Sequence, residues 1–336
     1  MKLDIKKGVK AIFTMVLCAM ALTSCDDSFF NGEGDCDPHY RVKFRYDYNM
    51  KYADAFAHEV NTVTLYLLDA NGNIVYENTE SGAALAADDY AMTVDIEPGT
   101  YNMLVWCGTA DKQSFEAPQA AKKEQLTRKL KRKQASDGKA IVDTDIDRLF
   151  HGYVAGQVFE RGEGMHTYTV PLVKDTNNVR VVLQQLSGEP VDKDNFDFTI
   201  TDNNGFMNWD NKLMSDATLN YKAWRKDVGS ADIETGNGAS SFGACLAEFT
   251  ISRLVTSHNP RLTVTNNRTG EIVFSIPLKD YCLMVKGFYN RDMADQEYLD
   301  RQDEYNMVFF LDDGMRWISS YIYINSWKVV LQNSGI

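Results

Sequence analysis

The sequence is poor in the groupings from which active sites are made. Its five histidines, His39, His58, His151, His166 and His258, are scattered and never fall at metal-ligand spacing. No serine or cysteine sits in a nucleophile-elbow context, and no glycine-rich loop follows a strand pattern to cradle phosphate. Asp69, Asn71, Asn73, Glu77 and Glu80 copy part of a calcium loop, but Ile74 stands where such a loop needs glycine for its sharp turn. Asn71-Gly72 between two alternating stretches accounts for the same residues as a hairpin turn. The expectation is a protein without catalytic residues, metal or cofactor. Positive charge is also in deficit. Against 47 Asp and Glu stand 35 Lys and Arg, a formal net charge of −12, and that balance argues against a nucleic-acid partner. The apolar run near the start, residues 11–21, is far short of the ~20 residues a membrane-crossing helix needs.

What that run does fit is an export signal. Lys2, Lys6, Lys7 and Lys10 form a basic head, the apolar stretch follows, and Leu22-Thr23-Ser24-Cys25 closes it. This is a lipobox, the Leu-x-small-Cys pattern of lipoprotein signal peptidase. It predicts residues 1–24 as a signal peptide, cleavage between Ser24 and Cys25, and lipid on Cys25. Each buried methylene contributes about 0.8 kcal/mol, so several acyl chains on one cysteine hold a domain to the membrane almost permanently. Cleavage removes four Lys and one Asp, taking the formal charge from −12 to −15. Residues 25–38 carry Asp26, Asp27, Glu33, Asp35 and Asp37 with Gly32 and Gly34 among them, the composition of a solvated tether.

Four cysteines remain after Cys18 leaves with the signal and Cys25 takes lipid: Cys36, Cys107, Cys245 and Cys282. An even number in an oxidising compartment allows disulfides, with Cys36–Cys107 and Cys245–Cys282 the natural pairs if two domains fold separately. Buried free thiols fit the same residues equally well, because domains of this size do not require bridges.

The dominant hydrophobic period is two. Tyr40, Val42, Phe44, Tyr46 and Tyr48 alternate with Arg41, Lys43, Arg45 and Asp47, the pattern of a half-buried strand. Similar runs follow, among them Val179, Val181 and Leu183, then Phe196, Phe198 and Ile200, separated by turn signals such as Glu97-Pro98-Gly99 and Asp202-Asn203-Asn204-Gly205, and the last strand runs from about Ile318 to Leu331. Met293 to Asn306 reads as a short helix or a loop. Lys174 to Asn178 is polar and reads as a junction, dividing the chain into residues 39–175 and 176–336. Many short strands and few helices predict an all-β chain of two tandem β-sandwich domains behind a lipoprotein signal peptide. The pattern lapses around Lys122, Lys123, Arg128, Lys129, Lys131, Arg132 and Lys133, where only Leu126 and Leu130 are apolar; a solvated helix or mobile loop is expected there. Trp106 and Trp327 lie in strand patterns and are expected in the core. Trp209 and Trp224 lie in a long loop region and are the candidates for surface aromatic contacts.

These features, taken in order, resemble the FimB/Mfa-type fimbrial anchor lipoproteins of Bacteroidales, the anchor subunits of type V pili. After the lipobox come Cys36-Asp37-Pro38 and a strand ending Tyr46-Asp47-Tyr48-Asn49, then Glu59-Val60 leading into Val63 to Asp69 and Gly72. Pro98-Gly99-Thr100-Tyr101 closes on Val105-Trp106-Cys107-Gly108, then come Phe150-His151-Gly152 and the terminal Trp327-Lys328-Val329-Val330. The resemblance covers nearly the whole mature chain and rests on order and spacing. It implies two transthyretin-like β-sandwiches, a non-catalytic protein fixed to the cell outer membrane, facing the cell surface, through lipid on Cys25. It also implies fimbrial shaft pilin subunits as partners, bound by β-strand complementation, and a limit on fimbrial length. Shaft subunits of that kind lose their first strand to an arginine- or lysine-specific protease, which opens a groove for a neighbour's strand. Here residues 26–40 hold no Lys or Arg, and the first basic residue, Arg41, is already inside the strand. The lipid is therefore expected to stay attached. The rival expectations are a surface glycan-binding lipoprotein of a carbohydrate-uptake system, built on Trp209 and Trp224, and a tip or adhesive fimbrial subunit.

Overall fold

The computed structural model describes residues 37–235, 238–287 and 290–330. The expected signal peptide, Ser24, Cys25 and most of the expected acidic tether, including Cys36, lie outside the described residues.

The first half builds strands β1 (Pro38–Arg45), β2 (Thr62–Leu68), β3 (Ile74–Ser81), β4 (Met92–Val94) and β5 (Gly99–Gly108). Short pieces β6 (Phe115–Glu116), β7 (Arg128–Leu130), β8 (Lys133–Gln134) and β9 (Ala140–Val142) follow. Strands β10 (Leu149–Phe159), β11 (Gly164–Pro171) and β12 (Val173–Lys174) then close this half. A five-stranded sheet in the order β12-β10-β5-β2-β3 faces a three-stranded sheet in the order β11-β1-β4. Between them lies a core in which Val42, Val63, Leu65, Leu67 and Phe150 are wholly buried. The β2–β3 turn is the expected hairpin: Asp69 Oδ1 accepts the backbone N–H groups of Asn71 and Asn73, and Gly72 takes φ +78°. Gly108 has a steric cause, since a Cβ there would collide with the carbonyl of Arg148 beside the β5–β10 pairing.

The second half contributes β13 (Thr176–Gln185), β14 (Phe196–Asp202), β15 (Phe206–Met207), β16 (Leu219–Lys222), β17 (Arg225–Thr235) and β18 (Gly238–Ser252). It continues with β19 (Arg261–Asn266), β20 (Ile272–Pro277), β21 (Glu304–Leu311), β22 (Tyr321–Ile324) and β23 (Trp327–Val330). One six-stranded sheet runs β17-β18-β13-β21-β22-β23 and the other β20-β19-β14-β16-β9-β8. Inward alternation of Val179, Val181 and Leu183 meets Phe196, Phe198 and Ile200 across the second core. Two short helices, Leu278–Met284 and Asp295–Arg301, join β20 to β21. The fold is all-β, with two sandwiches in tandem.

The basic segment corrects its expectation. Beyond a single 3-10 turn at Lys123–Gln125 it is not a solvated helix or mobile loop but a crossover of short strands. β8 and β9 extend a sheet of the second sandwich, with β9 parallel to β16, and Leu130, Ala140 and Val142 enter the second core. Two of its cations have specific partners distant in sequence. Arg132 is bidentate to Asp216 at 2.8 and 2.7 Å, and the buried guanidinium of Arg128 lies 5.1 Å from the Trp106 ring. Leu126 and Met207 cap a third core on the outer face of the five-stranded sheet, over Tyr66, Leu68, Leu104 and Trp106. Residues from each half thus cover the other.

Candidate functional site

In a β-protein the surfaces that can pair with another chain are strand edges and chain ends. Both ends of the described chain are strands, and they are held in very different ways.

β1 is the middle strand of its sheet. It pairs in parallel with β11 over eight register positions, from Pro38↔Gly164 to Arg45↔Pro171, and antiparallel with β4 over three. Tyr40, Val42 and Phe44 project into the core at 4% exposure or less. The Tyr40 hydroxyl donates to the Glu160 carbonyl at 2.6 Å, its ring meets Phe159 edge-on at 5.0 Å, and Phe44 stacks on Phe56. Burying three such side chains contributes about 5–9 kcal/mol. Arg41 and Arg45 lie within this sheet, where the backbone cannot be drawn out into a protease cleft.

β23 is an edge strand of a hairpin. β22 joins β21 through only two register pairs, Met307↔Ile324 and Val308↔Tyr323, and β23 pairs only with β22, although Ile322 and Ile324 are wholly buried in the second core and Val329 packs at its margin. The expectation of one strand up to residue 331 is corrected: Asn325 and Ser326 form a two-residue turn at φ +47° and +69°, and the chain doubles back. The hold on β21 is local. Asn325 donates its N–H to the Asn306 carbonyl at 2.8 Å, accepts the Asn306 N–H on Oδ1 at 2.7 Å, and donates Nδ2–H to the Glu304 carbonyl at 3.0 Å. Trp327 also departs from expectation. It pairs with buried Ile324 and so shares the core-facing side, yet it is 59% exposed. The strand sits at the sheet's edge, where no facing strand covers it. Several other edges are blunted: β3 carries Glu77 and Glu80, β8 and β12 have two residues each, and β11 and β20 end in Pro171 and Pro277, whereas β17, eleven residues long, forms the opposite edge of the sheet that β23 borders.

Between the ends lies the junction, which is polar as expected but buried. Lys174 pairs with Glu59 at 2.7 Å and with Asp303, drawing both halves onto one ammonium. Asp175 is fully buried. Its Oδ1 accepts from Asn211 Nδ2 at 2.8 Å, while Oδ2 has no partner among the described residues. Burial pushes its carboxyl up to about 7, against the pull of Arg253 and the Asn211 hydrogen bond. Arg253 is engaged elsewhere, bidentate to Asp300 at 2.8 Å on both oxygens. A neighbouring cleft of about 490 Å³ is crossed by the Arg180–Glu248 pair at 2.6 Å.

The other candidate residues do not assemble into a site. Trp209 packs edge-on against Tyr153 at 5.4 Å and under the Lys123 ammonium at 4.6 Å, against the third core. Trp224 is half-buried at the wall of the cleft. They form no shared aromatic platform. Cys107, Cys245 and Cys282 are buried free thiols, so the Cys245–Cys282 bridge is not formed. Burial raises all three, Cys245 to about 11, which makes them poor nucleophiles. Among the described residues, no group of three His, Cys, Asp or Glu is placed to hold a metal ion, and no helix is long and apolar enough to cross a membrane. Sequence reasoning missed the Asn325-Ser326 turn, although an Asn-led polar doublet between two alternating runs was the signal for it.

Comparison with known proteins agrees with this architecture. The family described as "Fimbrillin-A associated anchor proteins Mfa1 and Mfa2" matches residues 33–333. The minor fimbrium anchoring subunit Mfa2 of Porphyromonas gingivalis is 22% identical over 283 residues, 82% of this chain and 81% of that one. The solved structure of the Porphyromonas gingivalis fimbrial anchor Mfa2 superposes with a TM-score of 0.63 over 88% of this chain and 99% of its own, at 17% identity, a likeness of fold. A candidate adhesin of Bacteroides thetaiotaomicron superposes with a TM-score of 0.78 at 34% identity, over 89% of this chain and all of that one.

Proposed function

The chain belongs to the family of fimbrillin-A associated anchor proteins, and from that premise we propose that it fixes the base of a fimbria to the cell outer membrane through lipid on Cys25. Catalysis plays no part in this role. The observation that carries the reading is the contrast between the chain's ends. A seated first strand keeps tether and body in one covalent piece, while the last hairpin is joined along one edge only, by two register pairs, the Asn325 hydrogen bonds and the buried Ile322 and Ile324.

That contrast also supports a direction for strand exchange. With β1 in place, the first sandwich has no vacant strand position to accept a pilin strand. The β22–β23 hairpin is the terminal element, paired to its sheet along one edge, and its alternating apolar residues, with Ile322 and Ile324 buried in its own core, suit a shaft subunit's open groove. The anchor is thus the donor, and a shaft whose last groove is filled by a lipid-held subunit stops growing, which limits its length.

The test is a reversible lock. Val308 and Tyr323 are cross-strand partners, so Val308→Cys with Tyr323→Cys should clip the hairpin to β21. Cells carrying the oxidised lock should shed their fimbriae, as cells lacking the gene should, and reductant should restore attachment. Attached fimbriae under the oxidised lock would refute donation. Normal fimbriae after gene deletion, with polysaccharide binding lost, would refute the anchor and favour the glycan-binding reading.

A further inference from the structure

The strand that follows the tether carries its charge on one side. Along β1, Tyr40, Val42 and Phe44 point inward, while His39, Arg41, Lys43 and Arg45 point out. The register places this row along the middle of the three-stranded sheet. Thr93 on β4 and Met165, Thr167 and Thr169 on β11, all exposed, flank it. Arg45 pairs with Asp47 at 2.7 Å, whereas Arg41 and Lys43 have no carboxylate partner among the described residues. Asp47 and Asp95 sit at opposite ends of the face. An acidic chain, at a formal −12, thus keeps a basic stripe with uncharged borders next to its tether.

We infer that this outer face of the three-stranded sheet lies against the anionic surface of the membrane that holds the lipid on Cys25. The inference rests on the lipid-anchor reading above and adds an orientation to it. Two observations carry it. Cations two residues apart on a strand stand about 6.6 Å apart, so Arg41, Lys43 and Arg45 meet a flat surface together. The tether from Cys25 to Pro38 spans at most about 45 Å, longer than the ~26 Å face, so it permits the sheet to lie flat. Arg41 and Lys43, the two cations of the row that no carboxylate pairs among the described residues, favour the face-down orientation on the order of 30-fold when within a Debye length of an anionic surface.

The test uses the full lipidated chain in vesicles of phosphatidylcholine alone or mixed with phosphatidylglycerol. Lysines are footprinted with a neutral acylating reagent, and Lys212, 81% exposed in the second sandwich, is the internal reference. Acylation of Lys43 relative to Lys212 should fall about five- to tenfold when phosphatidylglycerol is present. It should recover in about 0.5 M KCl, where the Debye length is about 4 Å. Arg41→Gln with Arg45→Gln should also restore it while leaving the protein bound to vesicles. Equal Lys43 acylation in the two vesicle types, with the protein floating with both, overturns this inference alone. A chain that floats with neither vesicle overturns the lipid reading and this orientation with it.

Discussion

The two ends of this chain are both short strands with alternating apolar residues, yet one is bolted in and the other is laid on. β1 has a neighbour on each side, eight register pairs with β11 and three side chains sunk in the core. β23 has one neighbour, four pairs and an exposed tryptophan. Strand propensity does not separate them, since Val-rich and aromatic-rich segments occur in both. Position in the sheet does. A central strand is held by hydrogen bonds on both edges and by burial beneath it, and an edge strand by one of the two.

The comparison breaks most readily at β1. Val42→Asp places an unpaired charge where the side chain is wholly buried, and should destabilise the first sandwich by more than about 4 kcal/mol. The matching change in the hairpin, Val329→Asp, meets a half-buried side chain at the margin of the second core and should destabilise the second sandwich by about 1–2 kcal/mol. Equal losses would show that the ends are held alike.

The junction gives the next largest effect. The Asp175 carboxyl is raised to about 7 in the fold, above the ordinary value of 3.8, so the folded protein holds this proton between those limits. Its contribution to stability is full below about pH 4 and is lost as pH rises through 7. Asp175→Asn has no such loss, and its stability relative to the parent should climb across that window by up to about 4 kcal/mol. Parallel stability–pH curves for parent and variant would contradict the assignment.

At the hairpin the effects are smaller and move binding more than folding. Trp327→Ala should leave the melting temperature nearly unchanged yet weaken capture of a purified shaft subunit about 30-fold, near 2 kcal/mol, as for an aromatic anchor at an interface. Ser326→Gly relieves a left-handed backbone at φ +69° and should tighten the folded hairpin by about 1 kcal/mol, slowing its release to a shaft subunit. Faster capture by this variant would indicate that the hairpin acts without leaving its sheet.

Much of this was legible in advance. Period-two alternation identified β1, the Asn71-Gly72 hairpin and the inward faces of β13 and β14, because burial on one face imposes that period on any strand. The basic segment misled because its apolar content is low. Yet Arg128 and Arg132 are placed by Trp106 and Asp216, partners far away in sequence that no local pattern reports. Trp327 misled for the opposite reason. Alternation tells which face of a sheet a residue is on, but not whether a second sheet extends far enough to cover it. Counting left the cysteines open between bridges and thiols; among the described residues Cys107, Cys245 and Cys282 are buried free thiols, and Cys36 lies outside them.

The parallel pairing of β1 with β11 has a mechanical side. A pull transmitted along β1 from its tether slides the whole strand lengthwise past its partner. Its eight register pairs are then strained together, as in a glued lap joint loaded in shear. A hairpin lifted from a sheet edge gives way pair by pair, like tape peeled from one corner. Under flow, a surface appendage rooted in β1 would therefore hold firm to a high load and then fail abruptly, at a threshold governed by the unfolding rate of the first sandwich.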